Sequence, residues 1–248
     1  MLQHYRYILS GIDPLICFRR RVTDDGSAEH VYESGNGRGG AYRKGGGRRI
    51  KAVTAAAYSN TGPEQREVRI EMRKKGGKMI QNDFTIHIRR AESGDEACLA
   101  HVQTESWKAA FAGIVPAELL AQCTSIERAE KMYARLLAEQ QGNGYILELD
   151  GKPHCVAWWD AAREEGMPGA AELRCIHSLP ENWRRGCGSR MMERVLADVK
   201  AAGYTKLLLW VFTDNVRAIR FYEAQGFTFG GRKQPAFGTT EEMYVRAL

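Results

Sequence analysis

Apolar and polar residues follow regular periods from residue 84 to the C-terminus of this 248-residue chain. Alternation of apolar and polar residues predicts strands, because successive side chains of a strand point to opposite faces. Short apolar runs predict buried strands. The predicted strands cover residues 84–90, 145–150, 154–162, 171–179 and 206–211, with a closing pair near Phe229 and at 243–246.

Four segments have the spacing of amphipathic helices, in which apolar residues recur every three or four positions. Polar residues before such segments can cap the first turn. The predicted helices begin after Ser93 or Asp95, after Ser125, at the end of the loop 180–189, and after Asp214 or Asn215. Asp150 and Gly151 predict a hairpin turn between the second and third strands. The predicted order is β-α-α-β-β-β-α-β-α-β-β.

The loop between the fourth strand and the third helix, residues 180–189, predicts an anion site. A helix N-terminus has unpaired backbone N–H groups, and the helix dipole favours negative charge there. Gly186 and Gly188 let the backbone approach closely or adopt positive φ, while Arg184 and Arg185 can make charge-assisted contacts to phosphate. The spacing is not that of a P-loop, and it lacks the third glycine of a dinucleotide fingerprint. A glycine turn that serves packing alone is the alternative.

Two motifs, in this order and spacing, resemble the GNAT superfamily of acetyl-CoA-dependent N-acetyltransferases. Residues 180–189, Pro-Glu-Asn-Trp-Arg-Arg-Gly-Cys-Gly-Ser, are similar to the family's pyrophosphate loop, Q/R-x-x-G-x-G/A. Residues 215–227, which contain Asn-x-x-Ala-x-x-Phe-Tyr and then Gly-Phe, are similar to its last helix. The resemblance covers residues 84–248. It implies an α/β fold, a three-layer sandwich with a central mixed, mostly antiparallel sheet.

The resemblance also implies acetyl-CoA as the acetyl donor. The pyrophosphate would be held by Trp183, Arg184, Arg185, Gly186, Cys187, Gly188 and Ser189. The backbone of Ile176, His177 and Ser178 would pair with the pantetheine arm, and one of its N–H groups could polarise the acetyl carbonyl. Asn215 would fix the cofactor or cap the last helix. Two residues depart from the family pattern. Where this chain has Trp183 the family often has Gln or Arg, and where it has Arg184 the family frequently has Gly. Arg184 therefore either adds a phosphate contact or crowds the loop.

For catalysis, the resemblance points to Tyr222 as the acid that donates a proton or hydrogen bond to the departing thiolate. Glu172 is the candidate base, since burial could raise its pKa toward neutral. A structural tyrosine and a salt-bridged glutamate are the alternatives. His177 is a rival base, because a neutral imidazole can act at pH 7. A covalent route through Cys175 or Cys187 has no activating residues around it in the sequence.

The acceptor is expected to be a primary amine of a small molecule or peptide, attacked directly in a ternary complex. Residues 105–116 resemble the family segment that closes over the acceptor, although Trp107 and Phe111 can equally be core residues. Glu164, Glu165 and Glu172 either favour a cationic amine or are simply solvated. A non-catalytic acyl-CoA-binding regulator is the alternative function on the same fold, and the resemblance also allows a homodimer.

The first third differs from the rest in charge and composition. Residues 1–78 contain 16 Lys and Arg against 8 Asp and Glu, whereas residues 79–248 contain 20 against 22. Gly35–Arg49 is rich in glycine and arginine, so we expect residues 1–83 to form a disordered basic segment before an acetyltransferase domain at 84–248. Such an arm could bind nucleic acid, with salt-dependent affinity. Our preferred hypothesis is an upstream mis-start, with Met79 as the natural first residue.

The composition also indicates the cellular compartment. The six cysteines are scattered without C-x-x-C pairs or histidine clusters, which predicts reduced thiols and no metal site. No run of eighteen apolar residues and no secretory signal pattern occurs. We therefore expect a cytoplasmic enzyme without membrane partners.

Overall fold

The computed structural model describes residues 85–164 and 166–248, which form a seven-stranded sheet with helices. The predicted basic segment 1–83, the hypothetical start at Met79, the first predicted strand residue, Phe84, and the acidic loop residue Glu165 lie outside the described residues.

Seven strands and five α-helices make up the described part of the chain. In order they are β1 Ile86–Arg90, α1 Glu96–Phe111, α2 Ala117–Cys123, α3 Ile126–Ala138, β2 Asn143–Leu149, β3 Lys152–Ala161, β4 Ala170–Ser178, α4 Cys187–Ala201, β5 Lys206–Phe212, α5 Val216–Ala224, β6 Thr228–Ala236 and β7 Thr239–Ala247. A short 3₁₀ turn, Pro180–Asn182, lies between β4 and α4.

The sheet is mixed and mostly antiparallel, as predicted. The strand order is β1-β2-β3-β4-β5-β7-β6, and of these neighbours only β4 and β5 run parallel. Along β2, Tyr145 and Leu147 pack into the core that contains α4 and α5, while Ile146 between them packs into the core that contains α1 and α3. Since alternate residues face opposite sides of a strand, helices cover both faces of the sheet. This arrangement confirms the predicted three-layer fold.

The two parallel strands pair only at their beginnings. The pairing ends at Glu172 and Leu208, although β4 continues to Ser178 and β5 to Phe212. Beyond Glu172 the strands therefore leave an opening in the sheet, and the helices that follow them, α4 and α5, begin at its end. Ligands of open α/β sheets bind at the carboxyl ends of parallel strands.

A bulge in β4 lies where the opening begins. Trp158 of β3 pairs with Cys175, whereas the next residue, Trp159, pairs with Leu173, so Arg174 is the extra residue. Such a bulge bends its strand and re-aims the side chains beside it. It therefore helps to separate the end of β4 from β5.

The local signals of the sequence are mostly confirmed. The hairpin turn is made by Asp150 and Gly151, with φ of 50° and 74°, and Ser125 Oγ accepts a hydrogen bond from the Arg128 amide at the start of α3. Asp95 is the N-cap residue of α1 but makes no side-chain cap, because its carboxylate binds the Arg89 guanidinium at 2.7 Å.

The helix α2 is absent from the sequence-based prediction. It has seven residues, and a helix of that length has little stability of its own. Its Leu119 and Cys123 side chains pack beside Trp107 and Phe212, so tertiary contacts stabilise it. No helix in residues 85–164 and 166–248 is long and apolar enough to cross a membrane.

Candidate active site

The N-terminus of α4 has the features that the sequence predicts for an anion site. Its N-cap residue, Gly186, has φ of 84°, a conformation that favours glycine, and provides no side-chain cap. The first helical hydrogen bond runs from the Arg190 amide to the Gly186 carbonyl at 3.1 Å. The amides of Cys187, Gly188 and Ser189 precede that bond, so they have no acceptor within the helix. They point beyond the end of α4, where the opening between β4 and β5 lies.

Gly188, the second glycine of the loop, allows α4 and α5 to approach each other closely. A Cβ atom on Gly188 would lie 3.4 Å from the ring of Phe221 on α5. The Ser189 hydroxyl accepts a hydrogen bond from Gln225 Nε2, also on α5, at 3.3 Å. The first turn of α4 therefore packs against the C-terminal half of α5, at Phe221 and Gln225.

Three arginines surround this site. Arg184 is exposed and has φ of 65°, which places a non-glycine residue in the left-handed region. Burial lowers the pKa of Arg217, on the first turn of α5, and the positive charge of Arg184 lowers it further. Neither Arg184 nor Arg217 has an acidic partner among the described residues. With the half-buried Arg185, they make a cationic rim at the amides of α4.

Trp183 lies across the end of the opening. Its indole N–H donates to the Ser178 carbonyl at the end of β4, at 2.9 Å. The Arg217 guanidinium stacks on the indole ring, 3.4 Å from the ring centre. The side chain therefore connects the end of β4 with the start of α5.

The end of β4 presents backbone groups to the opening. Leu179 donates its amide to the His154 carbonyl at 3.0 Å, and bonding alternates along an antiparallel ladder. The backbone groups of Ser178 and Ile176 therefore point away from β3, toward the side where β5 no longer pairs. The Ser178 amide makes a long 3.4 Å contact with Ser106 Oγ.

His177 faces α1 rather than the opening. Its Nε2 accepts a hydrogen bond from the Trp107 indole N–H at 3.3 Å. Burial lowers the pKa of His177 to about 4, so the imidazole is neutral at pH 7 and its proton is on Nδ1. The nitrogen with which it could accept a proton is already occupied.

Tyr222 lies on the buried side of α5. Its ring contacts those of Phe221 and Phe227, with centroids 5.3 Å and 5.9 Å away. Burial raises the pKa of Tyr222, and the neighbouring Cys175 and Cys155 thiols raise it further. No group in residues 85–164 or 166–248 hydrogen-bonds its hydroxyl. The phenol therefore stays protonated at neutral pH and has a hydrogen to donate.

Glu172 is held by two arginines. Its carboxylate accepts a hydrogen bond from Arg163 Nη2 at 2.9 Å. Arg174 Nη1 lies 3.1 Å from the other oxygen as an ion pair, without the alignment of a hydrogen bond. The side chain is 7% exposed. The structure thus places the sequence-predicted base at the start of the opening, with both carboxylate oxygens in ion pairs.

The structure gives Asn215 a capping role. Its Oδ1 accepts a hydrogen bond from the Ala218 amide at 3.3 Å at the start of α5. Of the two residues that the sequence offered as caps, Asp214 and Asn215, the second is therefore the N-cap. Asn215 is buried and precedes Arg217 by two residues.

The described cysteines are all free thiols, and none forms a disulfide with another described residue. Burial raises the pKa of Cys175 to about 12 and also raises that of Cys187. Both thiols are therefore protonated at neutral pH, and a thiolate nucleophile is disfavoured at either position.

Two residues near the candidate site were not predicted from the sequence. Arg217 follows the predicted cap Asn215 by two positions, so its place at the helix N-terminus could have been deduced. Glu241 is buried on β7 beside the opening, and no local pattern distinguishes it from its neighbours. Only the strand pairing identifies its position.

Comparison with known proteins agrees with this geometry. Residues 116–227 match the model of the acetyltransferase (GNAT) family. An uncharacterized N-acetyltransferase of Bacillus subtilis, YuaI, is 25% identical over 143 residues, which are 56% of this chain and 78% of the relative. An uncharacterized N-acetyltransferase of Archaeoglobus fulgidus is 28% identical over 145 residues, 56% of this chain and 91% of the relative.

Solved structures show the same fold. The PaiA N-acetyltransferase of Thermoplasma acidophilum, in complex with coenzyme A, superposes with a TM-score of 0.57 at 19% identity, covering 66% of this chain and 99% of that one. The putative acetyltransferase YncA of Salmonella typhimurium, with its cofactor acetyl-CoA, gives 0.51 at 16% identity, covering 65% and 93%. At these identities the likeness establishes the fold alone.

Proposed function

The chain contains an acetyltransferase domain of the GNAT family, and on that premise we propose that it transfers an acetyl group from acetyl-CoA to a primary amine of a small molecule or peptide. The family implies acetyl-CoA-dependent acetyl transfer. One observation supports the use of this donor most strongly. An uncapped helix N-terminus with three arginines lies at the end of an opening between parallel strands.

In this proposal the pyrophosphate is bound by the amides of residues 187–189, with Arg184 and Arg185 adding charge-assisted contacts. The pantetheine arm runs along the outward backbone of Ile176 and Ser178 as an added strand would. The thioester then lies in the opening beyond Glu172. The Trp183 indole must release the Ser178 carbonyl if the arm is to use that acceptor.

Tyr222 acts as the acid. As the amine attacks the acetyl carbonyl, the carbon–sulfur bond breaks and the thiolate needs a proton or a strong hydrogen bond. The Tyr222 phenol supports this role because it is buried, its pKa is raised, and its hydroxyl donates to no other group among the described residues. Holding both substrates for direct attack provides much of the rate enhancement.

Glu172 is one of two candidate bases, and it is the one that the sequence suggests. It is the last residue of β4 that pairs with β5, so its carboxylate is near the thioester end of the opening. Its ion pairs with Arg163 and Arg174 occupy both oxygens. One arginine would have to move before Glu172 could accept a proton from the amine.

The test is release of free coenzyme A from acetyl-CoA by the full chain with a panel of primary amines, including alkylamines, arylalkylamines, diamines and short peptides. We expect acetyl-CoA to bind and at least one amine to accelerate thiol release, with the acetylated amine detected by mass spectrometry. Binding without acceleration by any amine would instead support an acyl-CoA-binding regulator. Failure to bind acetyl-CoA would contradict the proposal.

A further inference from the structure

Three glutamates, Glu164, Glu172 and Glu241, are buried close enough for their charges to interact, and one of them differs from the others. Glu164 forms an ion pair with Arg232 at 2.9 Å, and Glu172 has its two arginines. Glu241 is 7% exposed, and its carboxylate forms no ion pair among the described residues. Its hydrogen-bond donor is the neutral amide of Gln234. Burying a carboxylate without an ion pair costs free energy, so the burial of Glu241 needs an explanation.

Strand pairing fixes the position of Glu241. It lies directly opposite Phe212 on β5 and opposite Gln234 on β6. Residues directly opposite each other share one face of a sheet. Phe212 is four residues beyond Leu208, the last residue of β5 that pairs with β4. Glu241 is therefore beside the opening, on the face that α1 and α2 cover.

Aromatic rings cluster around Phe212, the residue opposite Glu241. The Phe212 ring makes edge contacts with Phe111 at 5.0 Å and with Phe237 at 5.8 Å. Trp107 contacts both Phe111 and Phe237, at 4.9 Å and 5.5 Å. Aromatic faces beside a carboxylate attract an organic ammonium ion through the ring quadrupoles and the charge. The region that resembles the family's acceptor segment thus has the chemistry of a cation site.

The charges around Glu241 suit a proton acceptor. Burial raises its pKa above the ordinary value for a glutamate, and the negative charges of Glu172 and Glu164 raise it further. The Gln234 hydrogen bond and the positive charge of Arg163 oppose the shift. A raised pKa makes a carboxylate a stronger base than an ordinary glutamate.

We propose that Glu241 binds the ammonium group of the acceptor and takes its proton, so that the acceptor is an organic cation. This inference rests on the proposed acetyl transfer. One proton moves from the ammonium nitrogen to the Glu241 carboxylate, and the nitrogen lone pair then attacks the thioester carbonyl. The carbon–nitrogen bond forms and the carbon–sulfur bond breaks. Tyr222 gives its proton to the thiolate and regains one from the new amide nitrogen, and Glu241 releases its proton to solvent.

The first experiment needs no knowledge of the natural acceptor. The thermal midpoint of the full chain is measured with coenzyme A and increasing n-propylammonium chloride, against sodium chloride at equal ionic strength. We expect propylammonium to raise the midpoint of the native protein but not that of Glu241→Gln. Glu242→Gln is the matched control, because Glu242 is the neighbouring residue and is paired with Lys233. Equal responses of the native protein and Glu241→Gln, including no response in either, would overturn the inference.

The second experiment concerns proton transfer. With an amine from the panel that is turned over, Glu241→Gln should reduce kcat/KM by about 100-fold or more, while acetyl-CoA affinity is retained. The acidic limb of the pH–rate profile should be lost as well, which a merely structural residue would not cause. A native protein that turns over no amine contradicts the proposed function. Normal turnover by Glu241→Gln contradicts only the role of Glu241.

Discussion

The indole nitrogen of Trp183 lies 2.9 Å from the carbonyl oxygen of Ser178. This bond occupies a backbone acceptor on the edge of β4 along which we propose that the pantetheine arm binds. The arm and the indole therefore compete for the same oxygen. Because Arg217 stacks on the ring at 3.4 Å, the ring itself can keep its place without the hydrogen bond.

Trp183→Phe should tighten acetyl-CoA binding, because it removes the competing N–H and keeps an aromatic ring for Arg217. A hydrogen bond has a net value of about 0.5–1.5 kcal/mol, so the Kd should fall by roughly two- to tenfold. Isothermal titration calorimetry measures this change, with Trp183→Ala as the variant that loses the stack too. A weaker Kd in Trp183→Phe would mean that the indole N–H contributes to cofactor binding.

Arg184 combines backbone strain with a position on the phosphate rim. Replacing it with glycine should relieve about 1 kcal/mol of left-handed strain and raise the thermal midpoint. The same change should weaken acetyl-CoA binding and reduce its salt dependence, because a cation is lost. Arg184→Ala separates the two effects, since it loses the charge and keeps the strain. If Arg184→Gly were less stable than Arg184→Ala, the strain argument would be wrong.

Tyr222→Phe should slow turnover without weakening the fold. The hydroxyl has no hydrogen-bond partner among the described residues, so its removal breaks no bond. Loss of an acid in the transition state costs about 100-fold or more in kcat. Steady-state kinetics and thermal unfolding measure both quantities on one preparation. An unchanged kcat would leave Tyr222 with a packing role only.

Glu172→Gln should destabilise the fold whatever its part in catalysis. It leaves Arg174, whose side chain is 10% exposed, and Arg163 without a counter-charge. Breaking a buried pair costs 3–5 kcal/mol, and we expect about 2–3 because Arg163 is partly solvated. Denaturant unfolding gives the value. Glu127→Gln, which breaks an exposed pair with Lys131, is the control and should have no measurable effect. Equal stability of the two variants would contradict the ion-pair assignment.

The stability of the protein should fall in acid partly because of His177. The pKa of His177 is about 4 in the fold against about 6.5 in an unfolded chain. The folded state therefore binds fewer protons, and its stability is fully present above pH 6.5 and is lost as the pH falls toward 4. The contribution is about 3 kcal/mol. His177→Gln, which can still accept from Trp107, should reduce this pH dependence, and an unchanged acid limb would contradict the prediction.

Local chemistry explains how much of this fold could be predicted from sequence. The Asp150-Gly151 turn, the Ser125 cap and the Gly186 conformation each depend on a few adjacent residues, and all three are confirmed. The helix α2 is stabilised by distant side chains, so its own seven residues gave no signal.

The candidate site was less predictable because some of its contacts join segments that are distant in the sequence. The loop 180–189 could be proposed as a phosphate site because phosphate binding uses consecutive backbone amides, and the structure places the end of this loop at the N-terminus of α4. The ion pairs of Glu172 and the burial of Glu241 depend on which strands are neighbours. β7 lies between β5 and β6 in the sheet, and this order brings Glu241 beside Phe212. No spacing within one segment encodes that contact.

Acetyl-CoA binding at the N-terminus of α4 is the central claim, and a thermal shift tests it most directly. At one hundred times its Kd, acetyl-CoA should stabilise the full chain by about 2.7 kcal/mol, a rise of several degrees. S-Acetylpantetheine, which lacks the phosphates, should give little or no shift at the same concentration. Equal shifts with the two ligands, or none with acetyl-CoA, would contradict the assignment of this helix as the site of the pyrophosphate.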